Sequence, residues 1–187
     1  MPVIPDLTEP LSDGHVRLRL AAECDIPEVL VAHQDDPRLA AALELERPPS
    51  GAELGRAMEA APGQRAAGSA VTLAILEPGS EDCRGQIQVE RFDWEHAHAD
   101  VALWVAPASR GRGLGSHALA LAAGWLIEAC ELVRVQLFIP PGNEAAVRTA
   151  LAAGFTHEGV LRAHVRTREG RADRAVLSRL ASDPTGR

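Results

Sequence analysis

Between Val105 and Ser116 the chain reads Val-Ala-Pro-Ala-Ser-Arg-Gly-Arg-Gly-Leu-Gly-Ser, a glycine- and arginine-rich stretch with unlike neighbours. Ala99–Val105 before it is apolar and partly β-branched, which predicts a strand. His117–Cys130 after it is rich in Ala and Leu, which predicts a helix. A strand that runs through such a turn into a helix is suited to hold phosphate. Glycines let the backbone approach an anion, and the first helical turn points N–H groups without intrahelical partners at it. Arg110 and Arg112 add charge to the helix dipole.

Two familiar phosphate loops do not fit. A nucleotide P-loop ends in Lys-Ser/Thr, whereas Gly115 is followed by Ser116-His117. Gly111, Gly113 and Gly115 imitate a dinucleotide glycine pattern, but the strand comes late in the chain. No acid ends a second strand at the spacing that pattern requires.

Other residues qualify for chemistry. Asp100 stands in the strand before the loop, and Glu90 lies on the strand before that. If Gln86, Gln88 and Glu90 share one face, Ile87, Val89 and Arg91 share the other, and Glu90 faces either a cleft or solvent. His96 and His98 share a face if their segment is extended, near Asp93, Glu95 and Asp100. That arrangement suits a substrate-binding rim or a hairpin edge better than a metal, and no metal site is expected. Trp94 and Trp104 are candidates to line an acceptor pocket, while Trp125 reads as core. The basic run Arg162, Arg166, Arg168, Arg171, Arg174 reads as a solvated hairpin face.

Downstream, Val133–Ile139 predicts another strand, closed by Pro140-Pro141-Gly142. Asn143-Glu144-Ala145-Ala146-Val147-Arg148 opens a short helix that ends at Ala153-Gly154. Phe155-Thr156-His157-Glu158-Gly159 follows. The loop pattern Arg110-x-x-Gly113-x-Gly115 resembles the acyl-CoA pyrophosphate loop of the GNAT superfamily of N-acetyltransferases. With the Asn that opens the later helix, then Gly-Phe and Glu-Gly, the order is similar to the RimJ/RimL-like branch, from about His15 to Leu180.

The resemblance implies a mixed α/β (α+β) GNAT fold. Its twisted, mostly antiparallel sheet of about six to seven strands has two splayed central parallel strands and about four flanking helices. It implies acetyl-CoA as cosubstrate, with the pantetheine arm in the splay. Cofactor contacts carry over to Trp104, Val105, Arg110, Gly111, Arg112, Gly113, Leu114, Gly115, Ser116, Asn143 and Arg148. It places oxyanion donors on the backbone beside Val105, where the strand is expected to bulge. Asp100 matches an acidic position and becomes the first choice of base, with Glu90 second. Asn143 contacts pantetheine or orders a water, and also suits a helix cap. Trp94, His96 and His98 are the expected acceptor contacts. Ala146 stands where the family often has Ser, and the chain has no Tyr to protonate the leaving thiolate. Water, Ser116 or His157 are the substitutes.

The implied reaction is direct transfer of acetyl to a primary amine, on a protein N-terminus or a small molecule. A catalytically weak acyl-CoA-binding or regulatory protein is the alternative, as is an acyltransferase with another acyl donor, even an aminoacyl-tRNA. The net charge of -7 opposes that last reading, and opposes nucleic-acid and anionic-membrane binding generally. Assembly as a homodimer stays open.

At 187 residues the chain suits a single domain over 14–180, after an N-terminal surface arm over 1–13 and before a frayed tail over 181–187. Cys24, Cys83 and Cys130 lack metal-ligand spacing and read as reduced thiols of a cytoplasmic protein. No signal peptide or membrane span is expected. His15–Leu20 predicts a strand, Asp25 caps a helix to about His33, and Ser50 with Glu53 forms a capping box for a helix over Ala52–Ala61. Pro62–Gly68 predicts a loop. Ala70–Leu76 and Gly85–Phe92 are predicted strands around the turn Glu77-Pro78-Gly79-Ser80, and Glu169-Gly170 predicts a hairpin between two last strands.

Overall fold

The computed structural model describes residues 3–43, 45–167 and 170–184. Its strands are β1 (Leu11–Ser12), β2 (Arg17–Leu20), β3 (Val71–Leu76), β4 (Cys83–Asp93), β5 (His98–Val105), β6 (Arg134–Ile139), β7 (Thr156–Thr167) and β8 (Gly170–Leu180). Its helices are α1 (Ile26–Asp35), α2 (Leu39–Ala42), α3 (Gly51–Ala66), α4 (Leu114–Ala129) and α5 (Glu144–Ala152). The strands form one sheet in the order β1-β2-β3-β4-β5-β6-β8-β7. Among the described residues only β5 and β6 run parallel; the other neighbours are antiparallel. This is the expected mixed α/β fold. A two-residue β1 and a four-residue α2 take it past the predicted element counts.

Alternation along the strands builds the core. Leu73, Ile75, Ile87, Val89, Ala99 and Val101 project to one side of the sheet and pack with Ala118, Leu119, Ala122 and Leu126 of α4. Each fully buried Leu or Ile contributes roughly 1.5–3 kcal/mol, against about 0–1 kcal/mol for an exposed ion pair, so this layer dominates stability. On the other side a smaller cluster joins Val29, Ala32 and Leu39 to Trp104.

Three expectations change. The segment over 3–14 is tied in, because Ile4 is only 1% exposed within the core and β1 pairs with β2. Helix α3 runs through Pro62 to Ala66 where a loop was predicted. Met58, Ala61, Pro62 and Arg65 line one cavity with Leu20, Ala21, Val71 and Thr72, which places this part of the helix beside β3. Helix α4 begins at Leu114, because Gly113 at φ +78 supplies its left-handed N-cap. Of the predicted hairpin, Glu169 of the turn and Arg168 before it lie outside the described residues.

Gly85 holds β4 against β5. A Cβ there would meet the Trp104 carbonyl oxygen at 2.2 Å and the Val105 Cα at 3.0 Å. On the far side of the sheet, Arg134 forks onto Glu158 at 2.8 and 2.6 Å, and Ser178 Oγ donates to the same carboxylate at 2.7 Å. These bonds pin β6 to β7 across β8 and hold the Glu158 carboxyl down at about 2, chiefly through Arg134.

Gly85→Ala should destabilise the fold at or above the upper end of the roughly 1–3 kcal/mol typical of overpacking. Gly79→Ala, with nothing within 4 Å of its Cβ, should cost only its φ +79 strain, about 1–2 kcal/mol. Urea midpoints measured on both variants check this order. Glu158 contributes through a depressed pKa, so its contribution is whole above the unfolded value of about 4.3 and fades as pH falls toward 2. Glu158→Gln should therefore lower the melting temperature at pH 7, and the two proteins should converge near pH 2.

Candidate functional site

After β5, Pro107–Ser109 make a single tight turn, and Gly111 and Gly113 take φ +77 and +78. The first bond of α4 is His117 N–H to the Gly113 carbonyl at 3.1 Å. The amides of Leu114, Gly115 and Ser116 precede it, so they open the helix without intrahelical acceptors. Ser116 Oγ donates to the Gly113 carbonyl at 2.8 Å and steadies the turn. Gly115 lets α4 sit close to the sheet and to α5, since a Cβ there would lie 3.3 Å from Thr149 and 3.4 Å from Val105. The predicted phosphate loop therefore has the backbone geometry of an anion cradle.

The two arginines are already engaged. Arg110 Nε donates to the Val105 carbonyl at 2.8 Å, and its Nη1 donates to Asp36 Oδ2 at 2.7 Å. That bond holds the Asp36 carboxyl below the usual carboxylate range. Arg112 Nη2 pairs with Glu77 Oε1 at 2.7 Å, in a more exposed position. Asp36 carries no sequence signal, because it is distant along the chain and precedes no motif.

Below this loop the sheet opens. Strands β5 and β6 pair only at His98↔Arg134, Ala99↔Val135 and Asp100↔Gln136. On its other edge β5 stays with β4 to Gly85↔Val105, and Ala106 N–H donates to the Arg84 carbonyl at 2.7 Å. Strand alternation then turns backbone groups of Leu103 and the Val105 amide toward the gap. The bulge expected beside Val105 is absent. The β4–β5 register is unbroken from Gly85 to Glu90 and shifts only between Glu90 and Asp93. Gly85 gives the physical reason, since the close approach it permits keeps the ladder in register to its end.

Asp100 stands where the gap begins. Its Oδ1 accepts from Gln136 Nε2 at 2.8 Å and its Oδ2 from Arg91 Nη1 at 3.1 Å, with the side chain 16% exposed. It lies about 17 Å down the strand from Val105 at roughly 3.4 Å per residue. Glu90 is directly opposite, on the same face and exposed. Ile87 and Val89 are buried on the α4 side, so the facing of Gln86, Gln88 and Glu90 agrees with the sequence pattern. Gln136 was missed, although the alternation Arg134-Val135-Gln136-Leu137 marks it as facing away from the core.

The remaining candidates are dispersed. Trp94 lies on the α4 side, stacked on Phe92 at 5.1 Å, and gives its indole N–H to the Gly68 carbonyl at 2.8 Å. His96 and His98 lie at the opposite end of β5 from the phosphate loop and gather around Asp93, at 3.0 and 3.6 Å. Trp104 shares the Asp100 face but is only 4% exposed, filled in by Val29, Ala32 and Leu39. Trp125 is core. Asn143 caps α5, its Oδ1 accepting from Ala146 N–H at 3.2 Å, and Arg148 pairs with Glu144 on the exposed side of that helix. His157 is exposed on β7 opposite the buried Leu177. Of the basic run, Arg162, Arg166 and Arg171 are exposed, Arg174 is buried, and Arg168 lies outside the described residues. Burial pushes the Cys83 and Cys130 thiols up to about 11.

Known proteins share this arrangement. The Acetyltransferase (GNAT) domain family matches residues 15–156. No curated protein matches the chain. The ribosomal-protein-S5-alanine acetyltransferase of Vibrio fischeri superposes with a TM-score of 0.79 at 15% identity, covering 94% of this chain and 98% of its own. Mycobacterium smegmatis RimJ, in complex with CoA-disulfide, gives 0.74 at 18% identity, over 92% and 86%. Spermidine N-acetyltransferase of Vibrio cholerae, in complex with CoA and spermine, gives 0.77 at 17% identity, over 91% and 98%. A glycine-rich turn with the geometry of an anion cradle at the mouth of two parting parallel strands, and a family match over most of the chain, lead to one conclusion: the chain belongs to the GNAT acetyltransferase family.

Proposed function

We propose that the protein moves an acetyl group from acetyl-CoA to a primary amine by direct attack in a ternary complex. The observation that carries this is the amide-lined start of α4 at the head of the β5–β6 gap. Backbone amides from Gly111 to Ser116 hold the pyrophosphate. The pantetheine arm descends into the gap against the free edge of β5. Asn143 and Arg148 flank the arm from α5, on the other side of the gap.

The amine approaches on the face that carries Asp100 and Glu90. Asp100 takes its proton, directly or through water, and Arg91 and Gln136 keep the carboxylate aimed. The amine nitrogen bonds to the thioester carbonyl carbon, and the oxyanion that develops is met by an amide on the gap edge of β5. Collapse breaks the C–S bond, and the thiolate takes its proton from water. Ala146, the absence of Tyr, the exposed placement of His157 and the engagement of Ser116 Oγ with the Gly113 carbonyl leave that step without a side chain. A thiol is acidic enough to leave with little help.

The acceptor class extends to protein N-termini and polyamines, because structural neighbours are named for ribosomal-protein alanine and spermidine acetylation. Ala146 favours a second reading, an acyl-CoA-binding protein of little activity. Mass spectrometry of products from an amine and peptide panel with acetyl-CoA separates the two.

A bulky residue at Gly113 must adopt φ +78 beside His117 Cδ2, which would lie 3.6 Å from the new Cβ. Gly113→Val should weaken CoA binding by more than about tenfold, since left-handed strain alone costs roughly 1–3 kcal/mol. Calorimetry checks this, and a wild type that fails to bind CoA ends the proposed function. Asp100→Asn should lower turnover by about 10²-fold or more, most at low pH where the amine arrives protonated. A pH–rate profile identical to wild type moves the role to Glu90 or to water.

A further inference from the structure

We propose that Asp36 is a positioning residue for the phosphate loop, holding Arg110 as a strut between α1 and the end of β5 so that this arginine shapes the loop instead of ligating phosphate. The inference rests on the acetyl-CoA reading above and assigns a part to a residue outside the cradle.

Arg110 is committed at both ends. Its Nε holds the Val105 carbonyl, the last acceptor on the gap edge of β5, and its Nη1 holds Asp36. A rigid fork that meets two acceptors in different elements fixes their separation, which a flexible ammonium does not. Asp36 is itself fixed. Its N–H closes α1 on the Ala32 carbonyl at 3.0 Å, its carbonyl accepts from Leu39 N–H at 2.9 Å, and its Oδ1 accepts from Arg38 N–H at 3.1 Å. With the residue only 9% exposed, the carboxylate is anchored by its own turn as well as by Arg110. Trp104, next to Val105, is held by Val29, Ala32 and Leu39. The α1–α2 unit therefore grips the mouth of the gap twice, once through an apolar seat and once through the strut.

Two roles for Arg110 predict opposite signs. If Arg110 ligates phosphate, Asp36 competes with the cosubstrate, and removing its charge should tighten CoA. If Arg110 is a strut, removing that charge should loosen CoA. The experiment is calorimetry with CoA on wild type, Asp36→Asn, Arg110→Gln and the double variant, with steady-state kinetics beside it. The strut predicts about tenfold weaker CoA binding in each single variant, in keeping with one lost charge-assisted bond. It predicts a double variant no worse than either single one. It also predicts a raised KM for acetyl-CoA with kcat within about threefold, since the site of proton transfer is untouched.

Tighter CoA binding in Asp36→Asn overturns the strut, as do losses that add in the double variant or a fall in kcat with KM unmoved. Should Asp36→Asn melt below assay temperature, Arg110→Lys decides. It keeps the charge but cannot bridge both acceptors, so it weakens CoA under the strut and spares it under direct ligation. A wild type that binds no CoA overturns the acetyl-CoA reading itself. A wild type that binds, with Asp36→Asn unchanged, overturns the strut alone.

Discussion

Two parallel strands that stop bonding partway along their length are the constraint on which the rest of this molecule depends. Strands β5 and β6 share a ladder only as far as Asp100↔Gln136. Beyond it backbone groups of Leu103 and the Val105 amide face a gap, and backbone groups left unpaired are expensive to bury. The opening therefore invites an extended ligand able to pair with a strand edge. Everything around it keeps the two strands apart without letting the sheet come loose. Helix α4 covers the gap from one side, with Gly115 setting its distance, and β8 holds β6 along its full length.

The charges serve this frame more than they add stability. The chain has no lysine, and several of its arginines tie separate elements together through carboxylates. Arg19 meets Asp25 at 2.8 and 2.7 Å, with the acid only 2% exposed. Arg134 meets Glu158, and Arg110 meets Asp36. Desolvation takes back much of the Coulomb energy of such pairs, so they are poor evidence of net stability. Their geometry is another matter. A planar fork fixes the distance and angle between two elements, and each pair stands where a strand end or a loop must be held to one position.

The proposed reaction distributes its chemistry along a single strand. The glycine-rich loop follows its last residue, the gap-edge amides lie along it, and Asp100 stands near its start. A strand is stiff enough to keep those parts at set separations, which is what orientation of reactants demands. The acceptor face is built differently, from residues of several elements. Its chemistry is accordingly harder to assign, and the indole of Trp104 that was expected to wall it is occupied by the second core.

What the sequence determined by itself is local. The strand–loop–helix passage, the Ser50–Glu53 capping box, the Asn143 cap and the Glu77–Ser80 turn are set by dihedral preferences and bonds that span a few residues, and each is found. The facing of Glu90 and Asp100 also follows from strand period alone. Tertiary structure decided the rest. Nothing near Arg110 announces that its partner is Asp36, 74 residues earlier. Nothing near Gly85 announces the Trp104 carbonyl pressed against it, and nothing near Pro62 announces the sheet its helix lies beside. Those outcomes depend on which distant surfaces meet. A short window of sequence can state a residue's preferences, but only the folded chain decides which group it finds within reach.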